Sequence, residues 1–168
     1  ISAQLVAAEL SIIREEIEEA RIFLSDALSS AKKIGRGDLE AEAFLALAIC
    51  EERADNHPKI LELLLQAEAK IEKDTHPYLT LLIEAVRCKA HEGQKEAEES
   101  KESLQRMEKA LELITATLGH DLRERFLQSP VVLTTHGNPS GSMGKLYEKM
   151  LNFGFNVVFL GSYFSGSP

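Results

Sequence analysis

Two stretches, NHPKILELLLQAEAKI and THPYLTLLIEAVRCKA, constrain this chain more than any other feature, because each sets a His-Pro dipeptide directly before an apolar run of helical period. Proline at the first helical turn lacks an amide hydrogen that would go unused there anyway, and its φ is already near the helical value. Helix starts are therefore expected at His57-Pro58 and His76-Pro77. Around these joints, from Ser2 to about Leu118, Ala, Leu, Glu and Lys dominate and apolar residues recur at intervals of three and four. That is the period of amphipathic helices, and it argues against strands over this range.

The spacing predicts a first helix over roughly Ala3 to Ile13 that runs straight on through IREEIEEARIFLSDALSSAKKIG, with Ile17, Ala20, Leu24, Ala27, Leu28 and Ala31 on one face. Gly35 and Gly37 are expected to stop it, since a glycine just past the last periodic residue is the usual helix terminator. Asp38 is the expected N-cap of the next helix, which carries Ala43, Leu45, Leu47, Ala48 and Ile49 and ends at ADNHP. Gly93 is expected to close the helix that begins at His76-Pro77. A long polar helix over about Lys95 to Leu118 completes the series. In it Ala97, Leu104, Met107, Leu111, Ile114 and Leu118 form a narrow stripe whose spacing alternates three and four from Leu104 onward, the seam of a coiled coil. Two covers suit that stripe: the preceding helix together with LRERFL, or a symmetry mate in a homodimer with Glu102 and Arg106 on the rim.

The second helix of each pair carries a small-residue pattern, in EEARIFLSDAL, ILELLLQAEAKI and QRMEKALELI. These segments resemble the second helix of tetratricopeptide repeats, in which a central alanine lets neighbouring helices approach closely. In AEAFLALAICEE and LTLLIEAVRCKA, Ala48 and Ala85 fall where the family favours small side chains, but its common aromatic and glycine are missing. Ala27, Ala67 and Ala110 are spaced more widely than the family's period of about 34 residues. The resemblance covers roughly residues 20–118. It implies an all-α fold of antiparallel hairpins stacked as a solenoid over residues 1–130, with an irregular Gly/Ser-rich tail over 131–168. GHDLRERFLQSP resembles the end of helical-repeat regions in large bacterial signalling and transcription regulators, which implies that Leu122, Phe126 and Leu127 seal the last hydrophobic layer.

The chain of 168 residues is 44% hydrophobic, enough for a real core, and carries a formal net charge of −8. Nucleic-acid binding needs a basic stripe, so this balance speaks against it and favours a basic peptide. No apolar run reaches membrane-spanning length, and the N-terminus lacks a basic start followed by an apolar core. Cys50 and Cys88 lie singly in helical patterns with no CxxC, which predicts buried, inert thiols in a reducing cytoplasm rather than a disulfide framework or zinc site. His57, His76, His91, His120 and His136 show no metal-ligand spacing. The absence of an initiator Met is what a segment of a longer protein would show.

The C-terminal stretch GNPSGSMGKLYEKMLNFGFNVVFLG brings a second reading. A phosphate-binding G-x-x-x-x-G-K-[ST] loop is matched by Gly144 and Lys145, but Pro139 replaces its first glycine and Leu146 its hydroxyl residue. For a dinucleotide-binding G-x-G-x-x-G turn, Gly141 and Gly144 are correctly spaced and Pro139 again stands first. The segment resembles the start of the nucleotide-binding domain of prephenate dehydrogenases, some of which are fused to a chorismate mutase. AELSIIREEIEEA resembles the opening helix of that mutase, with Arg14 as its substrate-binding arginine. Neither an acid nor a base follows Lys149 to hold the ribose, and one strand-helix-strand unit is too little for a parallel sheet. The expected function is therefore a protein-interaction scaffold without cofactor or metal, binding a peptide or another domain of its parent; the alternative is a fragment of such an enzyme.

Overall fold

The computed structural model describes residues 1–72 and 75–122. Six helices are described: α1 (Ser2–Ile13), α2 (Ile17–Ile34), α3 (Gly37–Arg53), α4 (His57–Glu68), α5 (Pro77–Gln94) and α6 (Ala97–Thr117). Among the described residues there is no strand. Each helix packs on the next, and the odd-numbered helices also touch one another, α1 with α3 and α3 with α5. The core runs through this arrangement in three layers. Leu5, Ala8, Ile12, Ala20, Leu24 and Ala27 meet Ala43, Ala46 and Cys50 of α3. Phe44, Leu45 and Ala48 on another side of α3 meet Ile60, Leu64 and Ala67 of α4 and Leu82, Ile83 and Val86 of α5. Leu81 and Ala85 meet Met107, Ala110 and Leu111 of α6.

Both His-Pro joints start helices: His57 is the first residue of α4, and His76 is the N-cap of α5 with Pro77 following. The expected run of one helix through to Gly35 is wrong. The chain turns at Arg14–Glu16, where the Glu15 amide donates to the Ile12 carbonyl and the Glu16 amide to the Ser11 carbonyl. Glu15 itself has φ +63°. That double bond pattern about a left-handed residue is the Schellman turn, and it satisfies carbonyls left over at the helix end. It recurs at Gly35, Asp55 and Lys95, each followed at once by the N-cap of the next helix. Glycine occupies only one of the four positions. At the other three a side chain is held in a conformation that costs about 1–2 kcal/mol, offset by the packing of the helices the turn joins.

A regular interval follows. The N-caps Glu16, Arg36, Asn56, His76 and Glu96 stand twenty residues apart, so positions forty apart occupy the same place in alternate helices. Ala8, Ala48 and Cys88 are all fully buried, as are Ala20 and Ile60, Leu24 and Leu64, and Ala27 and Ala67. The third equivalent of Ala27 and Ala67 is Met107 rather than Ala110, although both are buried.

Three local expectations are corrected by tertiary contacts. Asp38 is not an N-cap: α3 begins one residue earlier, and the Asp38 carboxylate takes two hydrogen bonds from Arg36, at 2.8 Å from Nε and 2.5 Å from Nη2. Gly37 does not end α2 but opens α3, because a Cβ there would lie 2.7 Å from the Lys70 carbonyl oxygen. Gly93 lies inside α5, where a Cβ would meet the His57 ring at 2.6 Å, and the helix ends instead at Lys95. Gly37→Ala is accordingly expected to lower stability by about 1–3 kcal/mol through overpacking against backbone, although removing a helix glycine ordinarily helps. Gly35→Ala, in open space at φ +68°, should lose only about 1 kcal/mol. Urea denaturation of the two variants would show whether the larger loss falls at Gly37.

Candidate functional site

Because α3 has neighbours on both sides, only one of its faces is left partly open. Asp38, Glu42, Ile49 and Arg53 share that face by helical spacing, and none is buried. Ala43, Ala46 and Cys50 turn towards α1 and α2, while Ala41, Phe44, Leu45 and Ala48 turn towards α4 and α5. On the remaining side Arg21 Nη2 of α2 reaches Glu51 Oε1 at 2.8 Å, and Lys70 Nζ lies 2.8 Å from Glu40 Oε2. The open face continues onto Glu9 of α1 and onto Tyr78 and Lys89 of α5, whose ammonium pairs with Glu52.

Most acids withdrawn from water in this molecule are matched by a base. Glu84 is the most deeply buried, at 1% exposure, and binds Arg87 Nη1 at 2.6 Å and Arg106 Nε at 3.0 Å. Arg87 also reaches Glu68 Oε2 at 2.8 Å, so one network ties α4, α5 and α6. A buried carboxylate is tolerated only when so partnered. Glu9 and Glu42 are the exceptions. Burial raises both to about 7, with the Glu42 charge adding to Glu9 and the Asp38 charge adding to Glu42. The Arg36 guanidinium opposes this weakly at Glu42, being already committed to Asp38, whose carboxyl it holds low. No ion pair or side-chain hydrogen bond reaches Glu9 or Glu42 from any described residue.

The thiols are closed to chemistry. Burial pushes Cys50 up to about 11, and Cys88, also raised by burial, lies 3.2 Å from Ser100 Oγ. A thiol so shifted is almost wholly protonated near neutrality and a poor nucleophile. Among the described residues no group of three His, Cys, Asp or Glu side chains is arranged to hold a metal, and no helix is long and apolar enough to cross a membrane.

The residues singled out by sequence fall apart spatially. Arg14 is exposed at the C-cap of α1. Gly141 and Gly144, with Phe126 and Leu127, lie outside the described residues, and Leu122, expected to seal a layer, is 57% exposed. Along the α6 stripe Met107 and Leu111 are buried against Leu81 and Ala85 of α5, with Ile114 packed beside them. Leu104 is 37% exposed and Leu118 half-buried. The twenty-residue register explains the difference, since Leu24 and Leu64, which match Leu104, are covered by α3 and by α3 with α5 respectively. Sequence reasoning missed Glu9 and Glu42 because each is one of many acids on amphipathic helices. A forty-residue comparison would have flagged them: their counterparts are Ile49 and Leu82.

No protein-family model, curated protein or solved structure matches this chain. The burial of the α6 stripe makes its own forecast. Leu111→Asp places an unpaired charge against α5 and is expected to lower stability by about 3 kcal/mol or more. Leu104→Ser should stay within about 1 kcal/mol. Chemical denaturation together with light scattering checks both, and a Leu111→Asp chain that stays folded while a wild-type dimer dissociates would assign the stripe to self-association instead.

Proposed function

We propose that this chain is a protein-interaction scaffold, a stack of two-helix repeats of the tetratricopeptide-like kind, whose open face across α1, α3 and α5 takes a basic peptide segment or a basic surface of another domain of its parent. The observation that carries the reading is the Glu9–Glu42 pair: two half-buried carboxyls on that face with no cation from the chain itself. A lysine or arginine from a partner would supply the missing charge where the dielectric is lowered, and so where an ion pair is stronger than at an ordinary surface. Asp38 beside them and the overall net charge of −8 favour the approach of such a partner. The forty-residue recurrence supports a stacked-hairpin scaffold, whose successive first helices form an extended surface suited to chain-like ligands. Its period is wider than the roughly 34 residues usual for tetratricopeptide repeats and nearer that of other helical-pair repeats, about 40–47. Binding rather than catalysis also agrees with the raised, buried thiols.

A fluorescently labelled nonapeptide rich in Arg and Lys should bind with a dissociation constant that weakens as salt rises, because exposed charges are screened. Fluorescence anisotropy on Glu42→Gln should show about a tenfold loss, or about 1.4 kcal/mol. Equal binding of a Glu/Asp-rich peptide of the same length, or unchanged affinity in Glu42→Gln, would refute the reading.

A further inference from the structure

We propose that the seating of α1 on α3 is a proton-controlled latch, closed while Glu9 and Glu42 share at least one proton and loosened when both ionise, with the Arg14–Glu16 turn as its hinge. The latch is a property of the chain alone and does not rest on the peptide reading.

The attachment of α1 is unlike that of any other helix. Among the described residues no side-chain hydrogen bond or ion pair leaves α1 for the rest of the protein, whereas α2, α4, α5 and α6 all contribute to such pairs. What holds α1 is apolar contact through Leu5, Ala8 and Ile12, while Leu10 and Ile13 stay 36% and 49% exposed. A terminal element with few buried groups belongs to the low-stability end of a fold, where local opening precedes global unfolding. Its tether is a single turn with Glu15 in the left-handed region.

The register shows what this junction lacks. Forty residues on, where α3 meets α5, the counterparts of Glu9 and Glu42 are Ile49 and Leu82, and Ile49 packs against the apolar cluster that contains Leu82. The same helix junction is thus closed by hydrophobic contact in one repeat and faced with two acids in the other. Every charge near these acids is accounted for. On α3 Glu42 feels Asp38 and, more weakly, Arg36, whose guanidinium is forked onto Asp38. From α2, which packs on both helices, Arg21 is taken by Glu18 and Glu51, and Lys32 lies over the Phe44 ring. From α5, Lys89 is taken by Glu52 and Arg87 by Glu84 and Glu68.

The sign follows from the protonation of the two states. With α1 detached, both acids return to water and ionise near 4.5; with it seated, they ionise near 7. The seated form therefore binds more protons, and its advantage shrinks as pH rises from about 4.5 to about 7 and stays reduced above. A basic side chain bound at the open face would close the latch at neutral pH.

Cys50 lies beneath α1 and is fully buried, whereas Cys88 is buried away from it beside Ser100 of α6. The full chain is labelled with 4,4′-dithiodipyridine at pH 5.5 and pH 8, each rate divided by that of the urea-unfolded chain at the same pH. Cys50 should become at least tenfold more accessible at pH 8 relative to Cys88. Glu9→Gln should abolish that rise, and Glu9→Ile with Glu42→Leu, which copies the α3–α5 junction, should abolish it too. The latch is overturned if Cys50 and Cys88 are labelled in parallel at both pH values, or if the rise at Cys50 persists in Glu9→Gln.

Discussion

Everything in this molecule depends on how closely its helices can approach, and that is set by alanine. Ala8, Ala20, Ala27, Ala31, Ala41, Ala43, Ala48 and Ala67 are all without solvent exposure. A methyl side chain at a crossing brings backbones near one another and lets the longer Leu and Ile side chains of the facing helix fill the space beside it. Close approach also makes short connections possible. When two helices lie almost in contact, a turn of two or three residues suffices, and the Schellman turn provides one. The same turn then serves at Glu15, Gly35, Asp55 and Lys95, and the equal interval between helix starts follows from equal helix lengths between equal turns.

Close packing leaves charged side chains few places to go. The chain meets this by aiming acids and bases at each other across helix boundaries, and the network of Glu68, Glu84, Arg87 and Arg106 ties three helices while leaving no charge alone. Such a network fixes which helix faces meet more than it adds net stability, since desolvation consumes much of the Coulomb gain. Against that pattern the unmatched Glu9 and Glu42 stand out as a local conflict between folding and charge. Conflicts of this kind concentrate where a molecule binds or switches. They lie at the junction least secured by other contacts, so their protonation bears on a helix that is free to respond.

The amino-acid sequence alone determined that the chain is helical, because a period of three and four in Ala, Leu, Glu and Lys admits no other regular structure. It determined the starts at His57 and His76, because proline acts locally, and the end at Gly35, because a left-handed turn there needs no neighbour. Tertiary structure decided the rest. Glu15, Asp55 and Lys95 carry no sequence mark of a turn, and only the packing of the helices on either side makes their backbone tolerable. Gly37 and Gly93 look like terminators in sequence, yet they are small because a carbonyl and an imidazole ring approach from helices far along the chain. Which acids find a base is likewise a matter of distance in space: Glu51 meets Arg21 and Glu84 meets Arg106, partners 30 and 22 residues away. Glu9 and Glu42, no different in sequence from the acids around them, are left unmatched because the helices that cover them bring no free cation.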